Sequence, residues 1–227
     1  YTSLNPRMTV GRSLLEPMLV HGIATGKEAE ERAAELLRTV GLNPYFVNRF
    51  PAEFSGGQRQ RIGIARALAL NPQLIVADEP VSMVDASLRA TILKALRELN
   101  QDYDVPILYI THDLTTAYHV SDYIMIMYRG SVMEAGDVES VIREPKHPYT
   151  QLLISSIPLP DKSKRWVDLA TGGDAMVFEP RENTGCRFAP RCPRVMDTCW
   201  KVVPSLYTTD QNRAVACFVY RDSPVLE

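Results

Sequence analysis

Apolar residues recur at helical spacing through the first seventy residues of the chain. Residues 9–21 and 29–40 each carry them on one face, and each segment is followed by a glycine. Two patterns of Ser or Thr followed three positions later by Glu or Gln, at residues 25–28 and 55–58, predict capped helix N-termini. We therefore expect residues 1–70 to be helical throughout.

The hydrophobic periodicity changes after residue 71. Two continuous apolar runs, Leu74–Ala77 and Val105–Ile110, predict parallel strands covered on both faces, with an amphipathic helix between them. Residues 123–127 and 131–134 flank Arg129-Gly130 and predict a β-hairpin. The pattern therefore indicates an α/β fold with a parallel core and an antiparallel edge.

The amino-acid composition changes at Pro145, after which prolines become frequent. All four cysteines of the chain also lie in its last part, from Cys186 to Cys217. We place a boundary near Pro158 and expect three parts: a helical region over residues 1–70, an α/β core over 71–157 and a small extension over 158–227.

Composition and charge exclude several classes of protein. The chain of 227 residues is 45% hydrophobic with a net charge of −2, so no global positive field draws it to nucleic acid. No apolar run reaches the roughly 20 residues that a bilayer-spanning helix needs, and no secretory signal is evident, which favours a cytosolic compartment. Because Tyr1 to Pro6 resembles a loop and lacks an initiator Met, we expect a further segment upstream.

Three places carry candidate chemistry. Ser55, Gly56, Gly57 and Gln58 stand at a predicted helix N-terminus, where unpaired N–H groups and the helix dipole favour a phosphate, although a plain capping box explains the same residues. Asp78-Glu79 follows a buried strand, where one carboxylate can hold a magnesium-bound water and the other can orient an attacking water; an ordinary turn is the alternative. His112 ends the next strand, where an imidazole can reach the same phosphate or simply occupy a loop.

The order of these motifs resembles that of the ATP-binding cassette ATPases. Phe54–Arg61 looks like the signature sequence of that family, Leu74–Glu79 like Walker B, Ser82–Asp85 like the D-loop and His112 like the switch histidine. The resemblance implies a nucleotide-binding domain with a RecA-like parallel core and a helical subdomain. Residues 3–11 and the His147-Pro148-Tyr149-Thr150 segment are similar to the oligopeptide and dipeptide importer ATPases in particular.

The resemblance also implies a mechanism in which two ATP molecules lie between head-to-tail nucleotide domains. Ser55, Gly56, Gly57 and Gln58 would then contact ATP bound by the partner ATPase, and Asp85 would belong to the same nucleotide site. Asp78 would support Mg²⁺, Glu79 would polarise the attacking water and His112 would contact the γ-phosphate. The implied partners are a second ATPase subunit, identical or homologous, the transmembrane permease subunits and, indirectly, a substrate-binding protein.

Two departures from the family pattern stand out. The Gly-rich phosphate loop with its Lys and Ser or Thr is absent from the sequence, and so is the Q-loop glutamine. In the D-loop, Met83-Val84 replaces the usual Ala-Leu. From the first departure we expect that these residues alone hold nucleotide poorly.

The four cysteines form a set of their own. Cys186, Cys192, Cys199 and Cys217 fit no standard zinc or ferredoxin spacing, but their clustering favours a shared role. Gly185–Pro193 is similar to the cysteine segment of peptide-importer ATPases, for which a 4Fe–4S cluster has been suggested, and three nearby arginines would offset the thiolate charge. Zinc, or thiols that bind no metal, remain the alternatives.

These observations lead to one main interpretation and two others. The main one is the ATP-hydrolysing subunit of a peptide-type importer, peripheral on the cytoplasmic face of the inner membrane. A non-catalytic metal-binding or regulatory module would explain the missing phosphate loop. A soluble cassette ATPase of DNA repair or translation would share the motifs, but the absent basic surplus and the importer-like tail oppose it.

Overall fold

The computed structural model describes residues 4–82, 84, 86–157 and 184–226. The chain divides into two compact units, Tyr1–Val120 and Ser121–Glu227. Asp85 and the predicted boundary at Pro158 lie outside the described residues, so the division at residues 70 and 157 stays a prediction.

Three helices open the first unit, as their hydrophobic spacing predicts. They are α1 (Val10–Val20), α2 (Gly26–Thr39) and α3 (Gly56–Leu68), with 3₁₀ turns at Pro44–Asn48 and Pro51–Glu53 between the last two. One side chain from each helix shows the shared core: Leu14, Leu37 and Ile62 are fully buried together. A Cβ on Gly11 would lie 2.8 Å from the carbonyl oxygen of Val47, so glycine lets α1 approach the first 3₁₀ turn closely.

The two predicted capping boxes differ in outcome. At the start of α3 the box is confirmed: the Ser55 hydroxyl accepts from the Gln58 N–H at 3.3 Å, and the Gln58 side chain accepts from the Ser55 N–H at 3.0 Å. At the start of α2 the prediction is wrong, because the Thr25 side chain makes no capping bond. Gly26, the first residue of α2, has φ +55°. The chain therefore enters this helix through a left-handed glycine and not through a side-chain cap.

A strand, helix, strand unit follows α3. Strand β1 (Ile75–Asp78) pairs in parallel with β2 (Ile107–Ile110), and the long helix α4 (Ala86–Tyr103) connects them. The apolar stripe of α4, with Ile92, Leu96 and Leu99, belongs to the same buried core as Ile75. The unit ends with α5 (Leu114–Val120).

The described residues cover only one face of the two parallel strands. The prediction that both faces are buried is wrong for the described residues, since Val76 is 58% exposed and Leu108 is 52% exposed. Leu74 and Ile110 are exposed as well, whereas Ile75 is buried against the α4 side. Alternating positions on each strand therefore form one buried face and one bare apolar face.

The second unit is built on an antiparallel sheet. Its strands are β3 (Tyr123–Tyr128), β4 (Ser131–Asp137), β5 (Tyr207–Asp210) and β6 (Arg213–Val215), in the order β3-β4-β6-β5. The predicted hairpin is confirmed as β3 and β4, with a register shift between Ile126 and Met127. Its helices are α6 (Val138–Arg143), α7 (Pro148–Ser155) and α8 (Asp197–Lys201), and 3₁₀ turns lie at Ala189–Arg191 and Phe218–Tyr220.

Candidate functional site

The ends of β1 and β2 bring three of the predicted site residues to one edge of the parallel sheet. Asp78 is the last residue of β1 and pairs with Ile110, the last residue of β2. Glu79 continues the pairing by donating its N–H to the Ile110 carbonyl at 2.9 Å. His112 follows two residues after Ile110, so the strand register places it beside Glu79.

The side chains of Glu79 and His112 are in direct contact. The Oε1 atom of Glu79 lies 2.6 Å from Nδ1 of His112, and the His112 side chain is 76% exposed. The hydrogen bond to Glu79, together with the charge of that carboxylate, raises the pKa of His112 above its ordinary value. A carboxylate and an imidazole that share a proton at an exposed strand end can polarise water or bind a phosphate oxygen.

The loop that carries His112 is held on its other side by Asp113. The Asp113 carboxylate accepts from the N–H of Thr115 at 2.9 Å and so caps the start of α5. It also lies 3.6 Å from a guanidinium nitrogen of Arg89 on α4. We did not predict a role for Asp113 or Arg89. The Asp-Leu-Thr-Thr sequence could have indicated the helix cap, but nothing in the sequence indicates the ion pair with Arg89.

The predicted phosphate-binding residues stand at the start of α3. Ser55 and Gly56 are exposed there, Gly57 is buried, and the Ser55 and Gln58 side chains are engaged in the capping box. Within the described residues, no hydrogen bond or ion pair joins this helix start to Glu79 or His112. The structure therefore groups Asp78, Glu79 and His112 and leaves the α3 N-terminus apart from them.

Three of the four cysteines, Cys186, Cys192 and Cys199, belong to an apolar cluster of the second unit. Cys186 and Cys199 are buried, while Cys192 and Cys217 are half-buried. Burial above all, together with the charges of the other three cysteines, raises the pKa of Cys192 to about 11, so the four sulfurs are within electrostatic range of one another. A Cβ on Gly185 would lie 2.3 Å from the Cys199 carbonyl oxygen. Only glycine therefore fits at position 185, next to Cys186, where the backbone approaches Cys199.

The expected metal centre receives no support from this geometry. Across residues 4–82, 84, 86–157 and 184–226, no three or more His, Cys, Asp or Glu side chains are placed to hold a metal ion. Burial also raises the pKa of Cys186 and of Cys217, which favours thiols over the thiolates that bind metals. The 4Fe–4S cluster and its zinc alternative are thus not supported as the sulfurs stand.

A buried ion pair, absent from our sequence-based expectations, organises the second unit. Glu134 on β4 is fully buried and accepts from Arg213 on β6 at 3.1 and 2.6 Å. The same carboxylate accepts from the backbone N–H groups of Lys146 and His147. Arg213 donates as well to the carbonyl of Glu144, so the pair fixes the segment that leads into α7.

Comparisons with known proteins agree with the motif order. The family model described as ABC transporter matches residues 1–82, and the model for the oligopeptide/dipeptide transporter C-terminal region matches residues 133–199. YkfD of Bacillus subtilis, named for oligopeptide transport, is 46% identical over 231 residues, which is 100% of this chain and 70% of the relative. The chain belongs to the ATP-binding proteins of ABC transporters.

Other members of the ABC ATP-binding family give the same result. AppF of Bacillus subtilis, an oligopeptide transport ATP-binding protein, is 42% identical across 97% of this chain and 67% of its own length. The peptide ABC transporter protein y4tS of Sinorhizobium fredii is 42% identical across 96% of this chain and 62% of its own length. The chain thus spans between 62% and 70% of these relatives.

Solved ABC cassettes share the fold. The dimeric cassette MJ0796 in a post-hydrolysis state with ADP and phosphate has a TM-score of 0.53 at 32% identity, over 61% of either chain. The ADP conformation of MJ1267, a cassette of an ABC transporter, has a TM-score of 0.56 at 28% identity, over 65% of this chain and 63% of that one. No helix among the described residues has the length and apolarity to cross a membrane.

Proposed function

We propose that this protein is the ATP-hydrolysing subunit of a peptide-type ABC importer. The observation that carries the proposal is the Glu79–His112 contact of 2.6 Å at the ends of two parallel strands, downstream of the capped Ser-Gly-Gly-Gln helix. Membership of the ABC ATP-binding family supports it, as do the names of the relatives. No observation favours the non-catalytic module or the DNA-repair ATPase over this function.

In this proposal each site residue acts by position and charge. Glu79 orients and polarises the attacking water, and His112 donates a hydrogen bond to the γ-phosphate. Asp78, whose carboxylate is exposed at the end of β1, supports Mg²⁺, the ion that neutralises phosphate charge. These roles fit two carboxylates and an imidazole that reach solvent at one edge of the sheet.

The start of α3 is proposed to act on nucleotide held by another ATPase subunit. Ser55, Gly56, Gly57 and Gln58 present the positive end of the helix dipole, and Asp85 of the D-loop belongs to the same proposed site. Among the described residues, no hydrogen bond or ion pair joins the start of α3 to Glu79 or His112, and this supports an action in trans. The dimeric state of the solved cassette MJ0796 supports it too.

The remaining partners are proposed from the family. They are a second ATPase subunit, the transmembrane permease and, through the permease, a substrate-binding protein, which would place this protein on the cytoplasmic face of the inner membrane. The match to the oligopeptide/dipeptide C-terminal model over residues 133–199 supports peptide as the cargo class.

We further propose that the four cysteines act as one centre, with a 4Fe–4S cluster as its occupant and zinc as the alternative. Among the described residues the side chains, as they stand, are not placed to hold a metal ion, so the proposal requires the cysteine side chains to move together when a metal binds. Their mutual electrostatic influence across Cys186 to Cys217 supports a single centre. Iron, zinc and sulfide analysis of anaerobically purified protein tests it. About four irons and four sulfides, lost in Cys192→Ser, would support the cluster; one zinc would support the alternative, and no metal would contradict both.

The catalytic proposal is tested by Glu79→Gln. ATP hydrolysis by the subunit assembled with its partner ATPase and permease is expected to fall by about 10²-fold or more, because the amide cannot polarise water as a carboxylate does. Glu98→Gln is the matched control, since Glu98 is an exposed residue of α4 that pairs with Lys94 across one helical turn. Unchanged hydrolysis in Glu79→Gln would disprove the function.

A further inference from the structure

We propose that Ser82 is a positioning residue for Glu79: its hydroxyl holds the Glu79 carbonyl and so keeps the carboxylate in contact with His112. The inference rests on the proposed function, because it concerns how the water-polarising residue is held. It assigns a task to the first residue of the segment that resembles the D-loop.

The backbone of Glu79 needs to be held. Its φ is +47°, in the left-handed region that is sterically unfavourable for residues other than glycine. Such a conformation persists only where neighbouring contacts fix it. In an extended conformation the Cβ of Glu79 would point in another direction, and the 2.6 Å contact with His112 would be lost.

Both backbone polar groups of Glu79 are engaged. Its N–H donates to the Ile110 carbonyl at 2.9 Å, which ties it to β2. Its carbonyl accepts twice from Ser82, from the backbone N–H at 3.2 Å and from the hydroxyl at 3.0 Å. The first of the Ser82 bonds is available to any residue, whereas the second needs a hydroxyl.

The two anchors act on different sides of the contact. Strand β2 fixes the Glu79 N–H and leads within two residues to His112, so it positions both partners. Ser82 fixes the carbonyl side of Glu79 alone. Loss of the hydroxyl therefore loosens Glu79 without moving His112, and the separation between the two side chains reports the effect.

The pKa of His112 measures this contact without any need for hydrolysis. We would titrate the histidine rings of the 227-residue chain by NMR and assign His112 with His112→Asn. In Ser82→Ala, most of the upward displacement of the His112 pKa should be lost, whereas Ser82→Thr, which retains the hydroxyl, should keep it. Glu79→Gln should abolish it. Ser156→Ala, which removes a serine-to-carbonyl bond on α7, should leave it unchanged.

Kinetics of the assembled ATPase give the second readout. Ser82→Ala is expected to lower kcat about tenfold while KM for ATP changes less than about twofold, and Ser82→Thr should recover the rate. A His112 pKa in Ser82→Ala equal to that of the wild type would overturn the inference. Failure of the proposed function is seen separately, as hydrolysis that survives Glu79→Gln while the titration result still stands.

Discussion

His147 shows how burial controls the charge of a single side chain. It is 1% exposed, and its Nδ1 atom accepts from the N–H of Tyr149 at 3.0 Å, which makes it the N-cap of α7. Burial lowers the pKa of His147 from 6.5 to about 4, and the nearby charge of Glu134 offsets only part of that effect. The folded protein therefore holds a neutral imidazole at a pH where an unfolded chain binds a proton.

This predicts that acid weakens the second unit. Because the folded-state pKa of His147 is lowered, its contribution to stability is complete above pH 6.5 and is lost as the pH falls toward 4, by about 3 kcal/mol in total. In His147→Asn, where the amide oxygen can still cap α7, that part of the pH dependence should vanish. Urea unfolding followed by tryptophan fluorescence between pH 7 and pH 4 measures it.

The control for that experiment is His21→Asn, since His21 is an exposed residue of the first unit. It should leave the pH dependence as in the wild type. An equal loss of stability on acidification in His147→Asn and in the wild type would show that His147 is not its source.

The site residues differ in how visible they are from the sequence. Asp78, Glu79 and His112 were predictable because two apolar runs each end in a polar group, and parallel strands place such ends at one edge. Ser82 was named only as part of a motif. Its bond to Glu79 depends on a left-handed backbone at Glu79, which residue type does not reveal.

At the scale of elements, strands β4 and β6 are joined through a buried charge pair. The Arg213 side chain is 2% exposed and that of Glu134 is 0% exposed. Gly136 leaves the space that the Arg213 side chain occupies, since a Cβ there would lie 3.1 Å from its Cγ. Removing one partner alone would leave the other charge buried without compensation.

We predict that Arg213→Leu destabilises the second unit by about 3–5 kcal/mol, because Glu134 would remain buried without its cation. Adding Glu134→Gln should recover part of the loss, since the amide carries no charge. The free energy of unfolding, obtained from urea titrations followed by tryptophan fluorescence, is compared between the wild type and both variants.

Arg143→Leu is the matched control, because Arg143 forms an exposed pair with Glu139 across one turn of α6. It should cost less than about 0.5 kcal/mol. A loss in Arg213→Leu no larger than in this control would contradict a role for the buried pair.

Elements that depend on local sequence were predicted better than the pairing of strands that lie far apart in the chain. Helices α1 to α4 and the β3–β4 hairpin follow from spacing, capping and the Arg-Gly turn, whereas α5, α7 and α8 were not predicted. The α2 cap was missed because Gly26 takes a positive φ. The pairing of β6 with β4 was not foreseen either, since a strand of three residues, Arg213–Val215, carries no readable alternation.

For the whole molecule, the bare faces of the strands are the most consequential surface. Val76 and Leu108 are exposed on the parallel sheet, and Met125 and Met127 are exposed on β3. An apolar run of this kind predicts a strand, but it does not reveal which other segments of the chain pack against each face of that strand. For that reason the sequence predicted the parallel pairing correctly and the burial of both faces wrongly.

We predict that the 227-residue chain self-associates with rising concentration through the bare face of β1 and β2. Val76→Thr combined with Leu108→Thr should reduce association, because threonine keeps strand propensity while lowering apolar area. Sedimentation velocity over a range of concentrations measures the effect. Val20→Thr, which removes an even more exposed apolar residue from α1, should change little. An equal reduction in that variant would contradict a role for the β1–β2 face.

The partnership of Glu134 with Arg213 also sets a condition on biosynthesis. The two residues are 79 positions apart, and Glu134 is made first. At a ribosomal rate of roughly 5–20 residues per second, about 4–16 seconds pass before the arginine has been added. During that interval the Glu134 carboxylate, which is buried in the folded protein, has no arginine to pair with. We therefore expect the β3–β4 hairpin to stay solvated and loosely packed until Arg213 has been added. The last strand to be synthesised thus decides when the second unit closes.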